Sequence, residues 1–238
     1  MDWNLPNQLT VGRLALSGVF FVLLAMYELP GDAGHLLNVC FALYIVASIT
    51  DVLDGYLARK WNTITAFGRV TDPFVDKVLV CGAFTLLTGS NFSFALREGL
   101  VSPFESGLRP WMTGNMASGV QAWMVVAVLA REFVVSGIRG YSEAIGQKFE
   151  ASIWGKLKIT AQSIAICAVL FQLANLPRAP WAVGARLFLV WLAVIVTVLS
   201  GLAYVNRARG LLAPERASDR PPSPPPDRRE DGDDAPEA

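Results

Sequence analysis

Four aspartates stand in one short stretch between two strongly apolar runs, and few folds can tolerate that. The stretch reads DxxDGxxAR from Asp51 to Arg59, followed by Gly68, Asp72 and Asp76. A lone charge in such surroundings costs several kcal/mol. Asp51 and Asp54 are three residues apart and Asp72 and Asp76 four, so each pair shares one helical face. A turn near Asn62 and Thr63 would fold the two helices into an antiparallel hairpin. Asp54 and Asp72 are equidistant from residue 63, so the two pairs would meet at one height. Carboxylates brought together repel unless cations lie among them. The natural occupants are one or two hard, oxygen-seeking ions such as Mg²⁺ or Mn²⁺, with two expected. The bland alternative, an ion-paired helix hairpin, fails on charge, because Arg59 alone cannot balance four aspartates.

The composition supports a membrane setting. Of 238 residues, 53% are hydrophobic and only 17% charged, more apolar than an ordinary soluble domain. The fold expected is an all-α integral membrane protein of six transmembrane helices, at roughly 9–28, 36–60, 68–89, 119–144, 153–175 and 181–204. Polar residues gather toward one end of the second, third and fourth spans, as in helices lining a wet cavity. Asp51 lies about 22 Å along the second helix at ~1.5 Å per residue, close to one interface of a core ~30 Å thick.

Arg13, Arg59, Lys60, Arg69, Arg139, Lys148, Lys156, Lys158, Arg207 and Arg209 fall on one side of this arrangement. The positive-inside rule then makes that side, the cavity mouth and both termini cytoplasmic, in an inner cell membrane. The start, Met1 to Asn4, lacks a basic region, so no cleaved signal peptide is expected. Residues 1–210 read as one membrane domain and 211–238, rich in proline and aspartate, as a disordered cytoplasmic tail. The connection from Ser90 to Ser118 is long, with Phe92, Phe94, Phe104 and Trp111 expected at headgroup level. Cys40, Cys81 and Cys167 read as buried thiols, and His35 as a residue of a short acidic loop. No nucleic-acid partner is expected.

Cations recur later in the chain. Arg131 follows an unbroken apolar run from Ala122, and Arg139 lies about two turns on; Lys156 and Lys158 open the fifth span. Snorkelling explains cytoplasmic lysines, but an anionic acceptor beside four carboxylates would also need such charges.

The spacing from Asp51 to Asp76 resembles the signature of the CDP-alcohol phosphotransferase family, matched at every position. That family implies transfer of a phosphatidyl group from a CDP-linked lipid to an alcohol, with CMP leaving. By the same resemblance Asp51, Asp54, Asp72 and Asp76 hold metal, and Asp76 also acts as general base. Asn7 and Thr10, in a start similar to the family's PN-x-(L/I)-T-x-x-R, would join Asp54, Gly55, Ala58, Arg59, Thr65 and Gly68 in binding the CDP-lipid. Small residues at 55, 58 and 68 equally serve helix packing. The stretch from Arg131 to Gln162 resembles the phosphatidylglycerophosphate synthase branch, although Ile159 stands where GKxKT would have threonine. It implies CDP-diacylglycerol and sn-glycerol 3-phosphate as substrates and phosphatidylglycerol phosphate as product. Arg131, Arg139, Lys156 and Lys158 would then hold the acceptor phosphate, in a homodimer embedded among membrane lipids. The alternatives are inositol phosphate, phosphatidylglycerol or serine as acceptor, a cation transporter, and a scaffold with structural metal.

Overall fold

A computed structural model describes residues 5–27, 33–61, 77–93, 110–113, 116–145 and 153–212. The regular structure among them is helical: α1 (Leu5–Ala25), α2 (Ala33–Trp61), α3 (Lys77–Leu86), the short α4 (Pro110–Thr113), α5 (Ala122–Ala144), α6 (Ile153–Asn175) and α7 (Pro180–Leu212). Extended backbone pairs in one isolated bridge, between Ser93 and Met116. The longer helices fall where spans are expected. Three segments, Gly34–Asp51, Leu157–Asn175 and Pro180–Ala208, are long and apolar enough to cross a membrane. The apolar stretches of α1 and α3 are shorter, and Arg131, Glu132 and Arg139 interrupt α5.

Proline sets several boundaries. α7 begins on Pro180, where the missing N–H costs no helical bond. α6 stops at Asn175, because Leu176 precedes Pro177 and is pushed out of the helical region.

α1 and α2 each bury one stripe at heptad-like spacing. On α1 it is Thr10, Arg13, Ser17, Phe20 and Leu24; on α2 it is Leu37, Cys40, Tyr44 and Ala47, continuing to the half-buried Asp51. These stripes oppose each other antiparallel and in one register: Phe20 packs against Tyr44 with ring centroids 5.7 Å apart, and Arg13 meets Asp51. Around this pair α2 packs on α6, α6 on α7 and α7 on α5. The stripe of α6 opens with Lys158 and Gln162 before becoming apolar, and that of α7 ends with Thr197, Ser200 and Tyr204. One end of the bundle is therefore polar inside, and toward the other the interior is mainly apolar, with Ser118 and the pair of Arg186 and Gln172 as buried polar exceptions. Outward, Phe133, Val126, Trp181 and Phe188 are exposed, a surface suited to hydrocarbon rather than water.

The opposite end is tied by the connection between α3 and α5. Asn91 donates to the Ala25 carbonyl at 3.0 Å, satisfying an orphan acceptor at the end of α1. Ser118 donates to the Leu87 carbonyl at 2.6 Å. Phe92 is wholly buried and stacks on Tyr27 at 5.2 Å. That corrects its expected place at headgroup level: the chain turns inward at Ser90–Phe92 and carries the ring into the core. Trp111 is exposed and lies edge-on to Trp191, while Phe94 and Phe104 lie outside the described residues. His35 sits in the first turn of α2 and not in a loop. The three cysteines are free thiols; Cys40 is buried and Cys81 and Cys167 half-buried.

Gly119 is the one described glycine with positive φ, at 73°, and a Cβ there would overlap Leu187 Cδ2. Gly119→Ala is expected to destabilise the fold by about 1–3 kcal/mol, from backbone strain and overpacking together. A lower melting temperature in detergent would register it; an unchanged one would mean that α7 yields freely at Leu187.

Candidate functional site

The polar end of the bundle is built in two parts. The first is where α1 meets α2. Arg13 is only 2% exposed and its Nη1 is ion-paired with Asp51 Oδ1, whose side chain is 37% exposed. Asp51 is thus reachable from one side and charge-paired on the other. Asp54 follows one turn later on α2, with Gly55, Ala58 and Arg59 in the turns beyond; the side chains of these four are outside the described residues. Thr65, Gly68, Asp72 and Asp76 also lie outside them. Among the described residues no three acidic, histidine or cysteine side chains converge, as expected when the side chains of three of the four aspartates are not included. Thr10 is buried one turn before Arg13, and Asn7 is in the first turn of α1, its side chain not described.

Asp51, partly open to solvent and one turn before Asp54 on α2, is the kind of hard oxygen donor that Mg²⁺ or Mn²⁺ would take. Arg13 was not singled out by sequence reading as part of this site. Its position near a helix start suggested a snorkelling cation, whereas its spacing from Thr10 and Ser17 puts it on the buried stripe.

The second part lies between α5, α6 and α7. Arg131, Arg139 and Arg207 line a cavity of about 40 Å³ with Gly155, Ser200, Ala203 and Tyr204. Arg131 Nε donates to Ser200 Oγ at 3.1 Å, and Arg139 Nε to Tyr204 Oη at 3.2 Å. The Arg139 guanidinium also lies 5.8 Å from the centre of the Tyr204 ring, within reach of a cation–π attraction. Such a space holds a few waters or one small anion; ligand pockets of drug size are roughly 300–1,000 Å³.

Of the four cations expected to bind acceptor, Arg131 and Arg139 come together here. Lys156 lies in the first turn of α6 beside Gly155, its side chain not described. Lys158 turns elsewhere: it is 5% exposed and its Nζ donates to Glu132 Oε1. Arg207, Glu132 and Ser200 were not picked out as site residues from sequence. The signal for Arg207 was its place one turn beyond the polar pair Ser200 and Tyr204; it is exposed, next to the buried Ala208.

A third feature is a groove of about 710 Å³ between α2 and α6, lined by Phe41, Tyr44 and Ile45 facing Ile164, Ala168 and Phe171. It extends to Ser48 and Ile49, within one turn of Asp51.

Residues 3–199 match the sequence profile described as CDP-alcohol phosphatidyltransferase. A Bacillus subtilis protein named CDP-diacylglycerol–glycerol-3-phosphate 3-phosphatidyltransferase is 34% identical over 219 residues, covering 86% of this chain and 95% of its own length. Proteins of the same name from Haemophilus influenzae and Escherichia coli are 31% and 32% identical, covering 89% and 88% of this chain and 97% of theirs. With the profile matched over residues 3–199 and relatives 31–34% identical over most of their length, the chain belongs to the CDP-alcohol phosphatidyltransferase family.

Proposed function

We infer that this protein transfers the phosphatidyl group of CDP-diacylglycerol to sn-glycerol 3-phosphate, giving phosphatidylglycerol phosphate and CMP. The relatives named above carry that reaction in their names. The observation that carries the choice of acceptor is the three-arginine cavity. Guanidinium groups offer planar, charge-assisted donors matched to phosphate, and the space suits a phosphate better than a nucleotide. Serine has no phosphate to place there.

In this reading the acceptor phosphate sits among Arg131, Arg139 and Arg207, with Lys156 at the rim, and the primary hydroxyl at the far end of the acceptor points toward the aspartates. The hydroxyl oxygen attacks the phosphorus bearing diacylglycerol, its proton passes to the Asp76 carboxylate, and the bond from that phosphorus to the CMP oxygen breaks. Such a reaction needs positioning and charge neutralisation more than covalent catalysis. Asp51, Asp54, Asp72 and Asp76 would hold divalent ions, which when bound neutralise the pyrophosphate and the departing CMP. Asn7, Thr10, Gly55, Ala58, Arg59, Thr65 and Gly68 form the nucleotide side. An acyl chain of the donor would lie in the groove between α2 and α6. Six spans, a cavity open to the cytoplasm, both termini inside an inner cell membrane and a homodimer complete the reading. The basic residues at the polar end support that orientation.

The test is CMP release by the purified protein in detergent with CDP-diacylglycerol and Mg²⁺, comparing glycerol 3-phosphate, inositol phosphate and serine. Glycerol 3-phosphate should be strongly preferred; equal turnover with inositol phosphate would overturn the acceptor. Arg207→Ala and Arg131→Ala should each raise the glycerol 3-phosphate KM about 10- to 100-fold, the worth of one charge-assisted bond. The CDP-diacylglycerol KM should change far less. An equal rise in both would assign these arginines to packing.

A further inference from the structure

Beside the cavity lies a buried carboxylate that the reaction above does not use. Glu132 is 6% exposed, on α5 next to Arg131. If the purpose of this region were only to attract an anion, a negative charge here would work against it. A buried Lys–Glu pair such as Glu132 with Lys158 can generally be replaced by apolar side chains without loss of stability. What the pair does accomplish is geometric.

Glu132 Oε1 accepts from Lys158 of α6, which anchors the carboxylate. The anchored carboxylate in turn receives Arg131 Nη1, at 3.3 Å from Oε1 and 3.5 Å from Oε2. On the other side Arg131 Nε donates to Ser200 Oγ. The Ser200 hydroxyl has its own proton committed to the Thr197 carbonyl at 2.8 Å, leaving its lone pairs for Arg131. Gly201 makes room for the stem: a Cβ there would lie 2.8 Å from Arg131 Cγ. Three helices thus fix one guanidinium, whose side chain is only 9% exposed yet lines the cavity. Two of its nitrogens are engaged, and among the described residues Nη2 remains for a ligand. The same turn of α5 reaches α3, since Ser136 donates to the Glu132 carbonyl at 2.6 Å and accepts from Lys77, the residue after Asp76.

We propose that Glu132 is a positioning residue for the acceptor: clamped by Lys158, its carboxylate holds Arg131 with one N–H edge turned to the phosphate cavity. The proposal rests on the cavity being the acceptor site, and the test separates the two. Glu132→Gln should raise the glycerol 3-phosphate KM about tenfold, with kcat within about threefold and the CDP-diacylglycerol KM unchanged. Because that variant leaves Lys158 buried without its counter-charge, Glu132→Gln with Lys158→Met is measured beside it. The double variant should regain the wild-type melting temperature yet keep the raised KM. Gly201→Ala, which presses on Arg131 without touching Glu132, should reproduce the same acceptor-specific rise. Recovery of the KM in the double variant would reduce Glu132 to a counter-ion for Lys158 and overturn the proposal. So would an unchanged KM in Glu132→Gln while Arg207→Ala is impaired. An unchanged KM in both would overturn the cavity assignment itself, and the proposal with it.

Discussion

Asp76→Asn is expected to lower CMP release by about 10²- to 10⁴-fold, the usual contribution of a positioned general base. The amide keeps the size of the carboxylate and one oxygen donor, so binding of Mn²⁺ should persist while the acceptor hydroxyl has nowhere to pass its proton. That split is the informative part. A carboxylate bound tightly to metal is a weak base, so a residue serving mainly as ligand would lose ion affinity and turnover together. The neighbouring Lys77 is held by Ser136 of α5, which ties the start of α3 to the helix carrying Arg131 and Arg139. Undiminished turnover in Asp76→Asn, measured with saturating Mn²⁺, would remove the base from this residue.

How much of this was legible beforehand depends on which physical signal each residue carried. Helix positions followed from apolar runs and prolines, and the membrane setting from their length. The acidic end of α2 was readable because aspartates in apolar context have few explanations. Partner choice among cations was not. Arg13, Lys158 and Arg207 each stand near the polar end of an apolar helix, and sequence position alone reads all three as cations on one side of the membrane without naming a partner. Their fates differ because of what lies across the helix interface. Arg13 faces Asp51 in the register that also pairs Phe20 with Tyr44. Lys158 faces Glu132, and Arg207 faces the cavity. Phe92 likewise carries an aromatic signal that serves an interface or a core equally well; the inward turn of Ser90–Phe92, which no local pattern announces, decided for the core.

The second large effect expected is in Asp51→Asn, and here Arg13 makes the outcome more specific than a loss of activity. As a ligand, Asp51 should be worth at least the 10- to 100-fold in metal affinity that even outer partners of metal ligands contribute. The half-saturating Mg²⁺ or Mn²⁺ in a CMP-release titration should move up by that factor or more. Asp51 is also the carboxylate held by the buried Arg13. Breaking a fully buried pair costs about 3–5 kcal/mol; with Asp51 partly exposed and asparagine still able to accept a hydrogen bond, about 1–2 kcal/mol is expected here. The metal-free variant should therefore melt lower. Arg13→Gln combined with Asp51→Asn removes the stranded charge, so it should restore melting without restoring metal affinity. The two readouts separate because only one depends on Arg13. If the titration midpoint stays put while melting falls, Asp51 is the partner of a buried arginine and not a ligand, and the ions must be held without it.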